Sequence, residues 1–373
     1  MPTALDKMIN SVKNAQDVLR EIKAKTGRRM IGYFHPVVPE ELIYAAGFQP
    51  VRLFPNFEDS ITVGNSYLQT YICSYLRADF DQALKGIRSY LDGVIMPRSC
   101  EAVTFSYQTW KRHNPYAFID YLNVPWKRSD NTIVFFTKEL ERVKQNLEAF
   151  GGQEISENEL RNAIQLYNRN RELLHQVYDM RRAAAPPISG FEAIHVVMSG
   201  FLFDKMDHNR LLEQLLSELP QEGAQASAKP RLLISGGRVI DRRIWEVIES
   251  AGAHVVADDV NNGSRSFRHS LPETAADPLE ALASSYATVP CAFNTSIQDR
   301  FDFISDMIIS HKVDGVVFAI NRNCETEAFA YPELEKRIKE RFGIPTIHIE
   351  TDYMMRLEPF RDRVEAFLQL LGT

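Results

Sequence analysis

Short apolar runs alternate with amphipathic stretches, stop, and then start again, and this pattern most limits the folds open to the chain. "RRMIGYF" reads as a strand, "PEELIYAAG" as a helix with Pro39 in its first turn and Gly47 at its stop, and "FQPVRLF" as a strand. A helix through "YLQTYICSYLRADFDQALKGI", the strand "DGVIMP", a helix from Glu101 to about Lys111 and a strand near "AFIDYL" follow. From Asn131 to about Leu219 the pattern is almost wholly helical. There Ser156 and Glu159 make a capping box ahead of a long helix to about Ala184, and "PPISG" breaks it. After Pro230 the alternation resumes with "RLLISG", a helix around "RRIWEVIESAG" and "HVVADD", then a less regular run to about Cys291. Helix "RFDFISDMIISH", strand "DGVVFAI", a helix in "YPELEKRIKERFG", strand "PTIHIE" and a terminal helix complete it.

Alternating strands and helices predict parallel sheets covered by helices, and 373 residues are enough for two such units. The expected fold is α/β: two Rossmann-like parallel-sheet domains with a helical segment between them. Residues 1–28 are read as an N-terminal helix, on the spacing of Leu5, Met8, Ile9, Val12, Ala15, Val18 and Leu19. Residues 29–130 form the first α/β domain, 131–219 the helical segment and 220–373 the second α/β domain. "PQEGAQASAKP", residues 220–230, is small and polar and fits an exposed linker.

The chain has four cysteines, and two end matching motifs: "LDGVIMPRSC" stops at Cys100 and "VDGVVFAINRNC" at Cys324. In parallel α/β sheets ligands gather beyond the carboxyl ends of the strands, which is where both thiols fall. Two lobes facing each other would bring them together. Cys73 lies on a helical pattern and by itself reads as packing; Cys291, after Pro290, is ambiguous. Assembled thiolates suit zinc or an iron–sulfur cluster, and the absence of any CxxC pair disfavours a zinc ribbon.

Composition narrows the function. The net charge is −6, with Lys and Arg scattered among Asp and Glu, so the basic footprint of a nucleic-acid partner is missing. No 18-residue apolar run or signal h-region occurs, and a cytoplasmic, reducing location with no membrane partner is expected. "SGGRVID" follows a strand but lacks both the dinucleotide and the P-loop pattern, and reads as a tight strand-to-helix turn. In "ADDVNNGSRSFR", Arg265 and Arg268 are candidates for holding a substrate phosphate or carboxylate, against the alternative of solvated pairing with Asp258 and Asp259. His35, ending the first strand in "YFHPVVPEE", is a candidate proton donor or hydrogen-bond partner, against a structural histidine.

Taken in order, "GYFHPVVPEELIYAAGFQPV", "YICSY", "DGVIMPRSCEAV", "ADDVNNGSRSFR" and "DGVVFAINRNCETEAFAYP" resemble the 2-hydroxyacyl-CoA dehydratase and benzoyl-CoA reductase family, specifically its smaller subunits. The likeness runs nearly end to end. It implies a [4Fe-4S] cluster held by Cys73, Cys100 and Cys324. It implies pairing with a related cluster-bearing subunit, as heterodimer or homodimer, and electrons from an ATP-hydrolysing iron–sulfur activator. It implies one-electron reduction of a CoA thioester to a ketyl radical anion, followed by loss of hydroxide from an (R)-2-hydroxyacyl-CoA to give a 2-enoyl-CoA. Ring reduction of an aromatic acyl-CoA, as in benzoyl-CoA reductase, is the alternative, and oxygen sensitivity would restrict such a protein to anaerobic conditions. Four cysteines fall short of the six of a double-cubane cluster, so one cubane per chain is the ceiling. The resemblance assigns no ligand role to Cys291 and no fixed duty to His35. Two further readings remain: a two-lobed small-molecule binding protein with buried cysteines, and a cluster-bearing electron relay that touches no substrate.

Overall fold

The computed structural model describes residues 2–57, 59–113, 115–127, 129–220, 228–268, 270–291 and 296–372. The expected linker at 220–230 falls largely on residues 221–227, outside the described residues.

The chain opens with α1 (Ala4–Lys13) and α2 (Ala15–Thr26). One amphipathic helix was expected here, but the backbone leaves helical geometry at Asn14, which caps α1 and starts α2. The first sheet follows: β1 (Met30–Tyr33), α3 (Glu40–Ala45), β2 (Gln49–Arg52), α4 (Ser74–Leu84), β3 (Gly93–Pro97), α5 (Glu101–His113) and β4 (Phe118–Leu122). Four helices come next: α6 (Asp130–Gly151), α7 (Glu157–Met180), α8 (Gly190–Ser199) and α9 (Lys205–Glu218). The Ser156/Glu159 capping box is present, but α7 ends at Met180 rather than near Ala184. The second sheet contains β5 (Arg231–Ser235), α10 (Arg243–Ser250), β6 (His254–Asp259), α11 (Pro278–Tyr286), α12 (Ile297–Ser310), β7 (Gly315–Asn321), α13 (Glu325–Phe342), β8 (Thr346–Thr351) and α14 (Glu358–Leu370). The run read as less regular holds α11, capped by Asp277. Helix α13 starts directly after Cys324, well before "YPEL", and carries Pro332 inside it.

All strand pairings are parallel, in the orders β2-β1-β3-β4 and β6-β5-β7-β8. The two sheets therefore have one topology, with β5–β8 standing where β1–β4 stand. β1, β3 and β7 are buried at every residue, which is why they read as continuous apolar runs. β2 is an edge strand, and this tolerates Pro50, which has no N–H for a second neighbour.

The repeated Asp-Gly has a structural cause. Asp92 accepts the Met30 N–H at 2.7 Å, and Asp314 accepts the Arg231 N–H at 2.8 Å, so each carboxylate brackets the first residue of the neighbouring strand. At Gly93 an added Cβ would sit 2.7 Å from that of Phe118 on β4, leaving room for hydrogen only. One apolar core spans both halves, taking in Met30, Phe34 and Val94 with Ile234, Val317 and Ala319. No helix among the described residues is long and apolar enough to cross a membrane.

Candidate functional site

In each sheet the crossover direction reverses between the first and third strands, at β1/β3 and at β5/β7. Loops leaving such a switch point diverge and open a crevice. The loop after β1 carries His35 and that after β3 carries Cys100; the loop after β5 carries Gly237 and Arg238, and that after β7 carries Asn323 and Cys324, with Asn321 at the strand's last position. All of these residues line one cavity of about 90 Å³ between the two sheets, together with Cys73, Tyr75, Ser99, Asn261 and Cys291. Tyr71 and Phe105, both more than half exposed, stand on its wall toward solvent.

The three cysteines singled out by resemblance share one local setting. Cys73 is the N-cap of α4, not a residue within a helix as its pattern suggested; buried Leu68 and Ile72 extend the apolar spacing beyond the true start. Cys324 is the N-cap of α13, and Cys100 immediately precedes α5. Their carbonyls accept the first helical N–H groups, from Arg77 to Cys73 at 3.3 Å, from Thr104 to Cys100 at 3.1 Å and from Ala328 to Cys324 at 3.0 Å. Three helix N-termini, each with unpaired N–H groups and a partial positive charge, thus open onto one cavity. Asn323, in the left-handed region at φ 63°, makes the turn that delivers Cys324.

Contacts between the halves hold these loops in place. Arg238 donates from Nη2 to Leu53 O at 2.7 Å and to Asp79 at 2.9 Å. Asn323 Nδ2 donates to Thr70 O at 3.0 Å, and Ser74 Oγ donates to Asp352. The "SGGRVID" turn is tight, as read, but its consequence is Arg238. An added Cβ at Gly236 would lie 2.2 Å from Ala319 O, and this close passage of backbone turns the next residues into the cavity.

Electrostatics follow from burial and crowding. Burial, then Cys73 and Cys291, push the Cys100 thiol up to about 12. Burial, then Glu327, raise Cys324, with Cys73 and Cys100 adding to it. Cys73 is also raised by burial, with Arg238 opposing. The thiols feel one another, and only a strong local cation would ionise them together. His35 is held well below its ordinary value by burial, then by Arg238, Arg52 and Arg265, so its ring is neutral at pH 7. Its backbone is left-handed at φ 57° and its Nδ1 stands 3.5 Å from Asn261 Nδ2.

These residues fit an iron–sulfur cluster. Four buried polar atoms on the cavity wall have no hydrogen-bond partner: Tyr75 Oη, Ser99 Oγ, Arg238 Nη1 and Asn321 Oδ1. Such atoms are costly unless something occupies the space they face. Among the described residues no three His, Cys, Asp or Glu side chains approach closely enough to hold a single metal ion. A cubane differs in that each thiolate binds a different iron, so the ligands stand further apart.

Arg265 and Arg268 are not among the residues lining this cavity. Arg265 is fully buried, with Nε and Nη2 on Asp259 at 2.6 and 2.8 Å and Nη1 on Asn261 and Glu327 at 3.0 and 3.1 Å. Its pairing is buried rather than solvated. Arg268 lies over the Phe303 ring at 4.1 Å. Sequence reasoning missed Arg238, Tyr75, Ser99 and Asn321; the last two stand one and three residues before the motif cysteines.

Fold and site together define a two-lobed α/β protein with a thiol-rich cavity between paired switch points. Residues 36–371 match the family model described as 2-hydroxyglutaryl-CoA dehydratase, D-component, and the chain belongs to that family. It is similar to the (R)-phenyllactyl-CoA dehydratase beta subunit of Clostridium sporogenes, 26% identical over 98% of this chain and 99% of that one. It is similar to a subunit of the benzoyl-CoA reductase of Thauera aromatica, 25% identical over 92% of this chain and 91% of that one. A weaker likeness, 23% over 68% of this chain and 54% of the other, links it to the (R)-2-hydroxyglutaryl-CoA dehydratase subunit alpha of Acidaminococcus fermentans. The chain is an enzyme subunit of the dehydratase and reductase type, and its likeness to both beta and alpha chains points to a heteromeric assembly.

Proposed function

We propose that this chain is the cluster-bearing smaller subunit of an oxygen-sensitive enzyme that dehydrates an (R)-2-hydroxyacyl-CoA to a 2-enoyl-CoA. In this reading it works with a related subunit and an ATP-hydrolysing iron–sulfur activator in the cytoplasm. The single observation supporting it most is the shared cavity of Cys73, Cys100 and Cys324 at three helix N-termini. These three would hold a [4Fe-4S] cluster, which when bound supplies single electrons at potentials reaching down to roughly −700 mV across such clusters.

The remaining residues define what the chain does around that group. Arg238 presents an unpartnered Nη1 donor to the cavity, a fixed positive charge for an anionic occupant. Tyr75 and Ser99 add hydroxyls and Asn321 an amide. His35, neutral and beside Asn261, is placed to hydrogen-bond with a group in the cavity without adding charge. Tyr71 and Phe105 narrow the water path. Arg265 acts through Glu327, three residues into the helix capped by Cys324, rather than by touching substrate. Arg268, stacked on Phe303 and outside the buried charge network, is left for an anionic part of the CoA ester.

Ring reduction of an aromatic acyl-CoA is the second reading, favoured by the nearly equal identity to the reductase relative. The test is iron and acid-labile sulfide per chain on anaerobically purified protein, beside Cys324→Ser. About four of each, with marked loss in the variant, supports the site. Turnover of phenyllactyl-CoA against benzoyl-CoA with the partner and activator then separates the reactions. Iron-free wild type would leave a two-lobed binding protein.

A further inference from the structure

All four cysteines of the chain line the same cavity, and the family pattern uses three. Cys291 is the most enclosed, at 4% exposure, while the other three are half-buried. It arrives from a separate direction, on the segment after α11, and its N–H donates to Val289 O at 2.7 Å across Pro290, a three-residue turn that fixes its backbone. That segment is anchored by Tyr286, whose hydroxyl donates to Glu41 at 2.6 Å.

Two buried arginines, Arg52 and Arg265, lie within electrostatic reach of Cys291. Arg52 is 3% exposed, forms no ion pair with a carboxylate among the described residues, and leaves Nη1 without a hydrogen-bond partner. Burial lowers its pKa to about 10 against the pull of Tyr33 and Glu40, with Cys291 adding a smaller contribution in the same direction. Arg265, held mainly by Asp259 and Glu327, is also influenced by Cys291. Tyr75 Oη, Ser99 Oγ, Arg238 Nη1 and Asn321 Oδ1, buried without partners on the wall of the cavity that all four thiols line, mark a space that an occupant would fill.

We propose that Cys291 is the fourth thiolate ligand of the cluster, so that this chain's site has no iron open to an exogenous ligand. The proposal rests on the cluster reading above. On binding, the Cys291 S–H bond breaks and an S–Fe bond forms; the proton leaves with the hydroxide that the thiolate displaces from iron, as water, with no change of oxidation state. Cys100 is the nearest of the other thiols in electrostatic terms, since Cys291 helps to raise it.

The test uses the full chain, loaded anaerobically with ⁵⁷Fe and studied by Mössbauer spectroscopy, as wild type and as Cys291→Ser. Expected is a wild-type spectrum without a distinct iron subsite, and a variant in which about one iron in four becomes distinct and is lost on mild ferricyanide oxidation, leaving a three-iron cluster. A wild type that already shows one distinct iron, or that loses an iron as readily as the variant, overturns the proposal. Should the variant fail to load, the wild-type spectrum alone decides. Four thiolates also predict that millimolar cyanide leaves the wild-type spectrum unchanged. A wild type that holds no iron overturns the cluster reading itself and this inference with it, an outcome distinct from a loaded cluster with an open iron.

Discussion

Asp259→Asn should destabilise the second sheet by about 3–5 kcal/mol, the cost of breaking a buried ion pair. Asp259, at the end of β6, accepts from Arg265 and, at 3.1 Å, from Arg300, and from Ser235 Oγ at 2.8 Å. Glu327 binds the same two arginines, at 3.1 and 2.7 Å. All four side chains are buried, two cations against two anions. The substitution keeps the volume and leaves one surplus positive charge out of water.

If charge balance is the cause, removing a cation should restore part of the loss. Arg300→Met with Asp259→Asn leaves Arg265 against Glu327, so the double variant should be more stable than the sum of the singles implies. Couplings of 0.5–3 kcal/mol are usual within such networks, so about 1 kcal/mol or more is expected. The assay is urea unfolding followed by fluorescence of Trp245, which is fully buried in this half. The pH dependence supplies a second check. Burial alone would raise Asp259, but Arg265 and Arg300 outweigh it and hold the carboxyl below its ordinary value. Its contribution is therefore complete above the unfolded carboxyl range and lost as pH falls through the lower folded value. Wild type should lose stability there, and Asp259→Asn should show a shallower acid limb. Additive effects in the cycle, or a single-variant loss below about 1 kcal/mol, would refute the reasoning.

Gly236→Ala should lower the thermal midpoint far more than Gly237→Ala, because the first Cβ meets the Ala319 backbone carbonyl at 2.2 Å and the second only the Glu327 Cγ at 3.1 Å, a gap that a shift of a few tenths of an ångström relieves; overpacking of the first kind costs about 1–3 kcal/mol or more. His208 is held down to about 3 by burial and then Lys205, so the unfolded chain takes up a proton below about pH 6.5 that the folded one refuses. Between pH 7 and 5 this should remove about 2 kcal/mol of unfolding free energy, and His208→Gln should flatten that slope in pH-dependent urea titrations. Trp110 Nε1 and Trp245 Nε1 are buried without partners, so replacing either tryptophan by Phe removes a costly unmade donor together with some packing, and the net loss by chemical denaturation should stay below about 2 kcal/mol.

Both sheets were legible because each strand is a short apolar run bounded by Gly, Asp or a polar loop, and because buried parallel strands need no polar face. Helix starts were less so. The apolar spacing through Leu68 and Ile72 continues into α4 although the turns there are not one helix, so Cys73 looked like a packed helical residue instead of a cap. The break at Asn14 and the early start of α13 escaped for the same reason: periodicity marks which face is buried, and not where the backbone changes direction. The thiols at strand ends were readable as a pair from "LDGVIMPRSC" and "VDGVVFAINRNC". Cys73 joined them only by resemblance. Arg238 was hidden, since a Gly-Gly turn announces a tight bend without saying what the bend aims.

Arg265 shows the converse. Its motif placed two acids and two arginines within twelve residues, and from spacing alone a solvated pair and a substrate clamp looked alike. The partner that decides between them, Glu327, comes 62 residues later, on the helix that Cys324 caps. The buried charge network and the cysteine loop are thus two ends of one short helical turn, and through Asp259 the network also reaches the end of β6 beside the loop of Asn261. On the other side Asp79, in the helix that Cys73 caps, receives both Arg88 of its own half and Arg238 from the opposite one. Each lobe therefore fixes one or more cysteine loops with charges that have no other place to go. A protein that must hold widely spaced thiols at separate strand ends, with no CxxC to set them in register, needs that kind of remote anchoring.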